Sequence, residues 1–195
     1  MIDLADIRGL ICIDCWEDPK LDSYYNTVNS IINFDQFDSI VVANYEIVLD
    51  SADVALSNTL HEYSWRDFTP EVLLPILKET RNRKTSKYIQ QHLGENSFLL
   101  LDDVSFNIHV NKIVPHIKDW LVIGGFWKMC THSRPLGFNK MRDMQYNFYI
   151  APGSIYSHNP SGQGVIACTK NDLDKDSLDW IDQSNDLYRL NNDTR

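Results

Sequence analysis

The chain has no long apolar run, no basic cluster and no dense set of cysteines or histidines, and each shortage removes a class of function. Its uninterrupted apolar stretches fall far short of the roughly 20 residues that a membrane-spanning helix needs, so no membrane partner is expected. Lys and Arg number 18 against 27 Asp and Glu, a net charge of -9. That balance leaves no basic face for nucleic acid or anionic lipid. The basic run "RNRK" at 81–84 is short and is followed by neutral residues, as at a solvated helix end. Four unevenly spread cysteines do not make a disulfide framework and suit a reducing compartment. The first ten residues, "MIDLADIRGL", place acids early with no apolar segment behind them, so no signal peptide is expected and the cytoplasm is the expected location.

What is present suits one globular domain over residues 1–195, with 43% hydrophobic and 23% charged residues. Short apolar runs recur: "LICI" (10–13), "SIVVANY" (39–45), "SFLLL" (97–101), "WLVIGG" (120–125), "NFYIA" (147–151) and "GVIAC" (164–168). Runs without polar alternation predict strands covered on both faces. Between them lie helical spacings: Leu21, Tyr24, Tyr25, Val28, Ile31 and Ile32 share one face, as do Val110, Ile113, Val114 and Ile117. Thr69 and Pro70 introduce a further helix through Val72, Leu73, Ile76 and Leu77. Near the C-terminus Leu173, Trp180, Ile181, Leu187 and Tyr188 read as the packed stripe of a surface helix, and residues 154–163 as a loop. Strands alternating with helices imply parallel pairing through right-handed crossovers. The expected fold is therefore an α/β three-layer sandwich around a doubly wound, mainly parallel six-stranded sheet in the order 3-2-1-4-5-6.

Ligands in such a sheet bind outside the carboxyl ends of the strands. The first strand ends at Asp14, and the fourth runs through "GGFWKMC" to Cys130, about where the next helix begins. If strands one and four are neighbours, this acid and this thiol meet in one crevice as a base and nucleophile pair, with the helix N-terminus favouring the thiolate. The plainer readings stay open: Asp14 caps the turn before Pro19, and Cys130 fills a core. "CIDC" at 12–15 matches C-x-x-C, but on a strand Cys12 and Cys15 face opposite sides, which suits packing rather than redox chemistry. The histidines lack metal-ligand spacing, with His61 alone beside Glu62, so no metal and no cofactor are expected. The "GG" pair is not a phosphate-cradling loop, since neither G-x-G-x-x-G nor G-K-[ST] occurs there.

"LICID" and "LVIGGFWKMC" together resemble the isochorismatase-like hydrolases, the cysteine hydrolase superfamily that includes nicotinamidases. The resemblance runs through the strand and helix order of nearly the whole chain, although the two motifs are short. It implies that Asp14 is the catalytic Asp, acting as base, and Cys130 the nucleophile, since Gly124 to Cys130 has the family's spacing. It also implies an unusual cis peptide near Gly125–Phe126, with oxyanion donors from backbone N–H groups around Phe126 and Cys130. Members usually associate, so a homo-oligomer is expected.

Two departures weigh on activity. The family's catalytic Lys ends the third strand, where "SFLLLDDVSF" offers Leu101 and Asp102 instead. An acid there sets like charges together and disfavours a thiolate. Lys128 points to another side of the helix start, while Lys84, Lys87 and Lys112 are further candidates for the crevice. After the nucleophile, Pro135 removes a backbone donor in the second turn, predicting a short or kinked helix, and Phe126 and Trp127 partly fill the crevice. Two readings follow. In one, the chain is a hydrolase that cleaves a C–N or C–O bond of a small-molecule substrate. In the other, it is a catalytically inactive protein that keeps the fold for binding or assembly.

Overall fold

A computed structural model of the chain describes residues 2–43, 85–100, 103–127, 129–133, 136–141, 144, 146–158, 165–175, 180–184 and 187–190. Its centre is a mainly parallel sheet with helices packed against it, an α/β fold. Strands β1 (Gly9–Ile13), β2 (Ser39–Ala43), β3 (Ser97–Leu99), β4 (Asp119–Gly124) and β5 (Asn147–Ile150) lie parallel in the order β3-β2-β1-β4-β5. All five fall on apolar runs expected to be strands. Every residue of β1 is buried, because each face meets a separate core. Ile11 and Ile13 enter one cluster with Trp120, Val122 and Phe148. Leu10 and Cys12 enter the other with Leu121, Ile123 and Tyr149.

Helix α1 (Asp22–Ile31) follows β1 and buries Tyr24, Tyr25 and Val28 in the second cluster, as its spacing predicts. A one-turn helix, α2 (Lys87–Gln90), is capped by Ser86, whose hydroxyl accepts from the Tyr88 N–H at 3.2 Å. Helix α3 (Asp103–Lys112) contributes Phe106 and Val110 to the first cluster. It starts earlier than the Val110–Ile117 spacing implies and ends before Pro115, which cannot continue a helix. Val114 and Ile117 are still buried, but from the connection into β4. The helix expected over 72–77 lies outside the described residues.

The sixth expected strand is not in this sheet. Strand β6 (Tyr156–His158), inside the stretch expected to be loop, pairs antiparallel with β7 (Val165–Ala167) in a separate two-stranded sheet. Among the described residues the main sheet has seven strands instead. Beyond β5 it continues through β9 (Leu187–Leu190) to β8 (Trp180–Ser184), both pairings antiparallel. The expected C-terminal surface helix is therefore a short helix, α6 (Lys170–Asp174), followed by a strand pair. Two short helices, α4 (Cys130–Ser133) and α5 (Phe138–Met141), precede β5. The physical reason for the C-terminal difference is twofold. The β5 edge needs backbone partners, and only Asn185 and Asp186, residue types common in hairpin turns, separate Ser184 from Leu187.

Candidate functional site

Strands β1 and β4 are hydrogen-bonded neighbours in a register that sets Ile13 against Gly124. Asp14 and Gly125, the next residues, therefore leave the carboxyl edge of the sheet side by side. Asp14 is fully buried. Its backbone is left-handed, with φ 49°, a conformation that costs an L residue on the order of 1 kcal/mol or more and persists only where surroundings enforce it. Its N–H donates to the Ala43 carbonyl at 3.1 Å, and its own carbonyl accepts from the Trp16 N–H at 3.0 Å and the Tyr156 hydroxyl at 2.9 Å.

That reversal corrects the reading of the cysteine pair. Because the chain turns at Asp14, Cys15 falls in the same core cluster as Cys12 rather than on the opposite face. Both are free thiols. Burial pushes the Cys15 thiol well up, and its contact with Cys12 adds to this. Cys15 therefore has little of the thiolate character that redox exchange requires, and the two buried cysteines pack in one cluster.

The turn after β4 depends on two glycines with φ 77° and 64°. A Cβ on Gly124 would run into the Ile13 carbonyl and lie 2.6 Å from the Cys15 sulfur. A Cβ on Gly125 would lie 3.1 Å from the Cys130 Cβ and 3.3 Å from Ile13 Cγ2. The first turn of α4 is thus seated against the ends of both strands. No described peptide bond is cis, so the turn at Gly125–Phe126 reverses through its glycine φ angles and not through the cis bond that the resemblance implies. The Phe126 carbonyl accepts from the N–H groups of Met129 (3.1 Å) and Thr131 (3.3 Å) and from the Thr131 hydroxyl (3.0 Å), which closes α4. The described part of α4 is Cys130–Ser133, and Pro135, where an interruption is expected, lies outside the described residues. Cys130, at its first position, retains 8% exposure and joins the apolar cluster that holds Ile13, Leu136 and Phe138. Phe126 and Trp127 are partly buried against the same cluster.

The lysine question divides. Leu101, Asp102, Lys84 and Lys128 lie outside the described residues. Lys87 is exposed, with its ammonium 5.2 Å from the Tyr88 ring centroid, and Lys112 is exposed at the end of α3, so neither fills the crevice. Among the described residues no group of three or more His, Cys, Asp or Glu could hold a metal, and no helix is long and apolar enough to cross a membrane.

Three tyrosines under this rim are the residues that sequence reasoning missed. Tyr24 Oη accepts from the Gly124 N–H at 2.7 Å and donates to the Ser154 carbonyl at 2.6 Å. Tyr25 Oη donates to the Trp16 carbonyl at 2.8 Å and lies 3.1 Å from Tyr156 Oη. Two hydroxyl protons thus serve three contacts: Trp16 O, Asp14 O and the link between Tyr25 and Tyr156. Burial pushes all three hydroxyls up, so they remain protonated donors. The one signal available beforehand was that a buried Tyr hydroxyl must find a partner. Tyr24 and Tyr25 looked like helix core, and Tyr156 lay in an expected loop.

No protein-family model, curated protein or solved structure matches the chain.

Proposed function

We propose that the chain is a cysteine hydrolase of the isochorismatase-like kind, on a three-layer α/β sandwich, acting on a small C–N or C–O bond. The observation that carries this reading is the Ile13–Gly124 register, which brings the Asp14 turn and the Cys130 helix start to one rim. The Cys130 sulfur attacks the substrate carbonyl carbon as its proton passes to the Asp14 carboxylate. Backbone N–H groups around Phe126 and Cys130 steady the oxyanion. The C–N or C–O bond then breaks as Asp14 returns the proton to the leaving nitrogen or oxygen. Water, deprotonated by Asp14, attacks the thioester, and the proton goes back to sulfur as the acid leaves. Self-association and a cytoplasmic setting belong to the same proposal.

A second reading, a non-catalytic protein that keeps the fold for binding or assembly, draws on the placement of Cys130 within an apolar cluster. Alkylation of Cys130 by iodoacetamide near neutral pH separates the two. Preference for Cys130 over Cys12, Cys15 and Cys168 is not decisive, because those three are more deeply buried. The sign of the Asp14→Asn effect is. A carboxylate that takes the thiol proton accelerates alkylation, so its loss slows the reaction, by about five-fold or more. A bystander carboxylate repels the thiolate, so its loss speeds the reaction. A faster or unchanged rate rejects the hydrolase.

A further inference from the structure

Among the described residues the Asp14 backbone is hydrogen-bonded to Ala43, Trp16 and Tyr156, the last through a side chain. The contacts with Ala43 and Trp16 are backbone to backbone and survive any substitution that keeps the turn. The third is the Tyr156 hydroxyl, which donates to the Asp14 carbonyl at 2.9 Å from 142 residues away. Tyr156 also holds the other side of the rim. Its N–H donates to the Gly125 carbonyl at 2.8 Å, and its carbonyl accepts from the Trp127 N–H at 3.3 Å. The ring is fully buried, with centroids 4.4 Å from Tyr24, 5.4 Å from Phe126 and 6.4 Å from Trp16. One residue of β6 thus fastens the turn after β4 through its backbone and the turn after β1 through its side chain.

We propose that Tyr156 is a positioning residue, whose hydroxyl keeps Asp14 in its left-handed conformation beside the turn that leads to Cys130. Among the described residues Asp14 is the one non-glycine with positive φ, so this is where such a clamp has something to hold. The hydroxyl keeps its proton because burial pushes its pKa well up. The catalytic meaning of the clamp rests on the hydrolase reading, but the clamp itself does not.

Two experiments test it and keep the two ideas apart. In urea unfolding, Tyr156→Phe lowers the folding equilibrium constant by about five-fold or more in the wild-type background. Glycine adopts positive φ without strain, so in Asp14→Gly the same substitution costs under about two-fold. Asp14→Ala, strained but without the carboxylate, retains the full loss. Equal losses in the wild-type and Gly backgrounds overturn the clamp. In the second experiment, the pH–rate profile of Cys130 alkylation is compared across variants. Tyr156→Phe moves the apparent pKa toward that of Asp14→Asn, whereas Tyr25→Phe, which loses a hydroxyl of the same cluster bonded to Trp16 instead, leaves it in place. Equal shifts in the two Phe variants also overturn the proposal. Coupling in the first experiment without any Asp14 dependence in the second rejects the hydrolase and keeps the clamp. The reverse keeps the hydrolase and rejects the clamp.

Discussion

The Tyr24 hydroxyl stands 2.7 Å from the Gly124 nitrogen and bridges it to the Ser154 carbonyl, so a residue of α1 ties the exit of β4 to the loop before β6. The Gly124 N–H also reaches the Ser154 carbonyl directly at 2.9 Å. Tyr24→Phe therefore strips one donor from Ser154 without orphaning Gly124. The expected loss of stability is about 1–2 kcal/mol by chemical denaturation, the range for a buried neutral hydrogen bond. A loss within a few tenths would show that the direct contact suffices.

Gly124 and Gly125 differ in what a methyl group meets. At Gly124 the obstruction is the Ile13 backbone and the Cys15 sulfur, neither of which can swing aside. At Gly125 it is the Cys130 Cβ and two methyl carbons, from Thr131 and Ile13, at 3.1–3.3 Å, which can give by a few tenths of an ångström. Both sites carry positive φ. Gly124→Ala is expected to cost more than about 3 kcal/mol, from clash and φ strain together, and Gly125→Ala about 1–2 kcal/mol. Thermal denaturation of the two variants checks the order, and a reversed order would contradict this packing.

The parallel half of the sheet was legible because β1, β2, β4 and β5 are buried on both faces and so appear as continuous apolar runs. The pairing of Asp14 with the glycine turn was legible for the same reason, once strands one and four were set as neighbours. What failed was local. The seven-residue spacing of Leu173, Trp180 and Leu187 samples too few positions to tell one helix from a short helix and two strands. "GVIAC" has the composition of a central strand but pairs with Tyr156–His158 instead. Cys15 was misplaced because nothing in "CIDC" announces a left-handed Asp. The tyrosine hydroxyl bonds join residues up to 142 apart, and no short-range pattern carries them.

His109 offers a pH test away from the site. Its ring is buried, with Nε2 2.9 Å from the Ser39 hydroxyl, and it packs on Phe98 and Trp120 at centroid distances of 4.5 and 6.5 Å. Burial lowers its pKa from 6.5 to about 4. The unfolded chain thus binds a proton that the folded one refuses between those values. The contribution to stability is fully present above about 6.5 and is lost as pH falls toward 4, up to about 3 kcal/mol. Unfolding free energy measured from pH 7 to pH 4 should fall along that window. The fall should flatten in His109→Gln, and an equally steep profile in that variant would assign the loss to other groups.

The C-terminal strand pair can be tested through its contact with α6. Tyr188 is buried in β9, and its hydroxyl donates to Asp174 Oδ1 at 2.6 Å. In one continuous surface helix, residues 14 apart would lie about 21 Å from each other along the axis, so this bond exists only if the chain turns back as strands. Asp174 is exposed, which reduces the worth of a charge-assisted bond to about 1 kcal/mol. Tyr188→Phe and Asp174→Ala should each cost about that much. The double variant should cost scarcely more than either alone, a coupling that unfolding measurements resolve. Strictly additive losses would mean that the two side chains do not meet, and would return residues 173–190 to the helical reading.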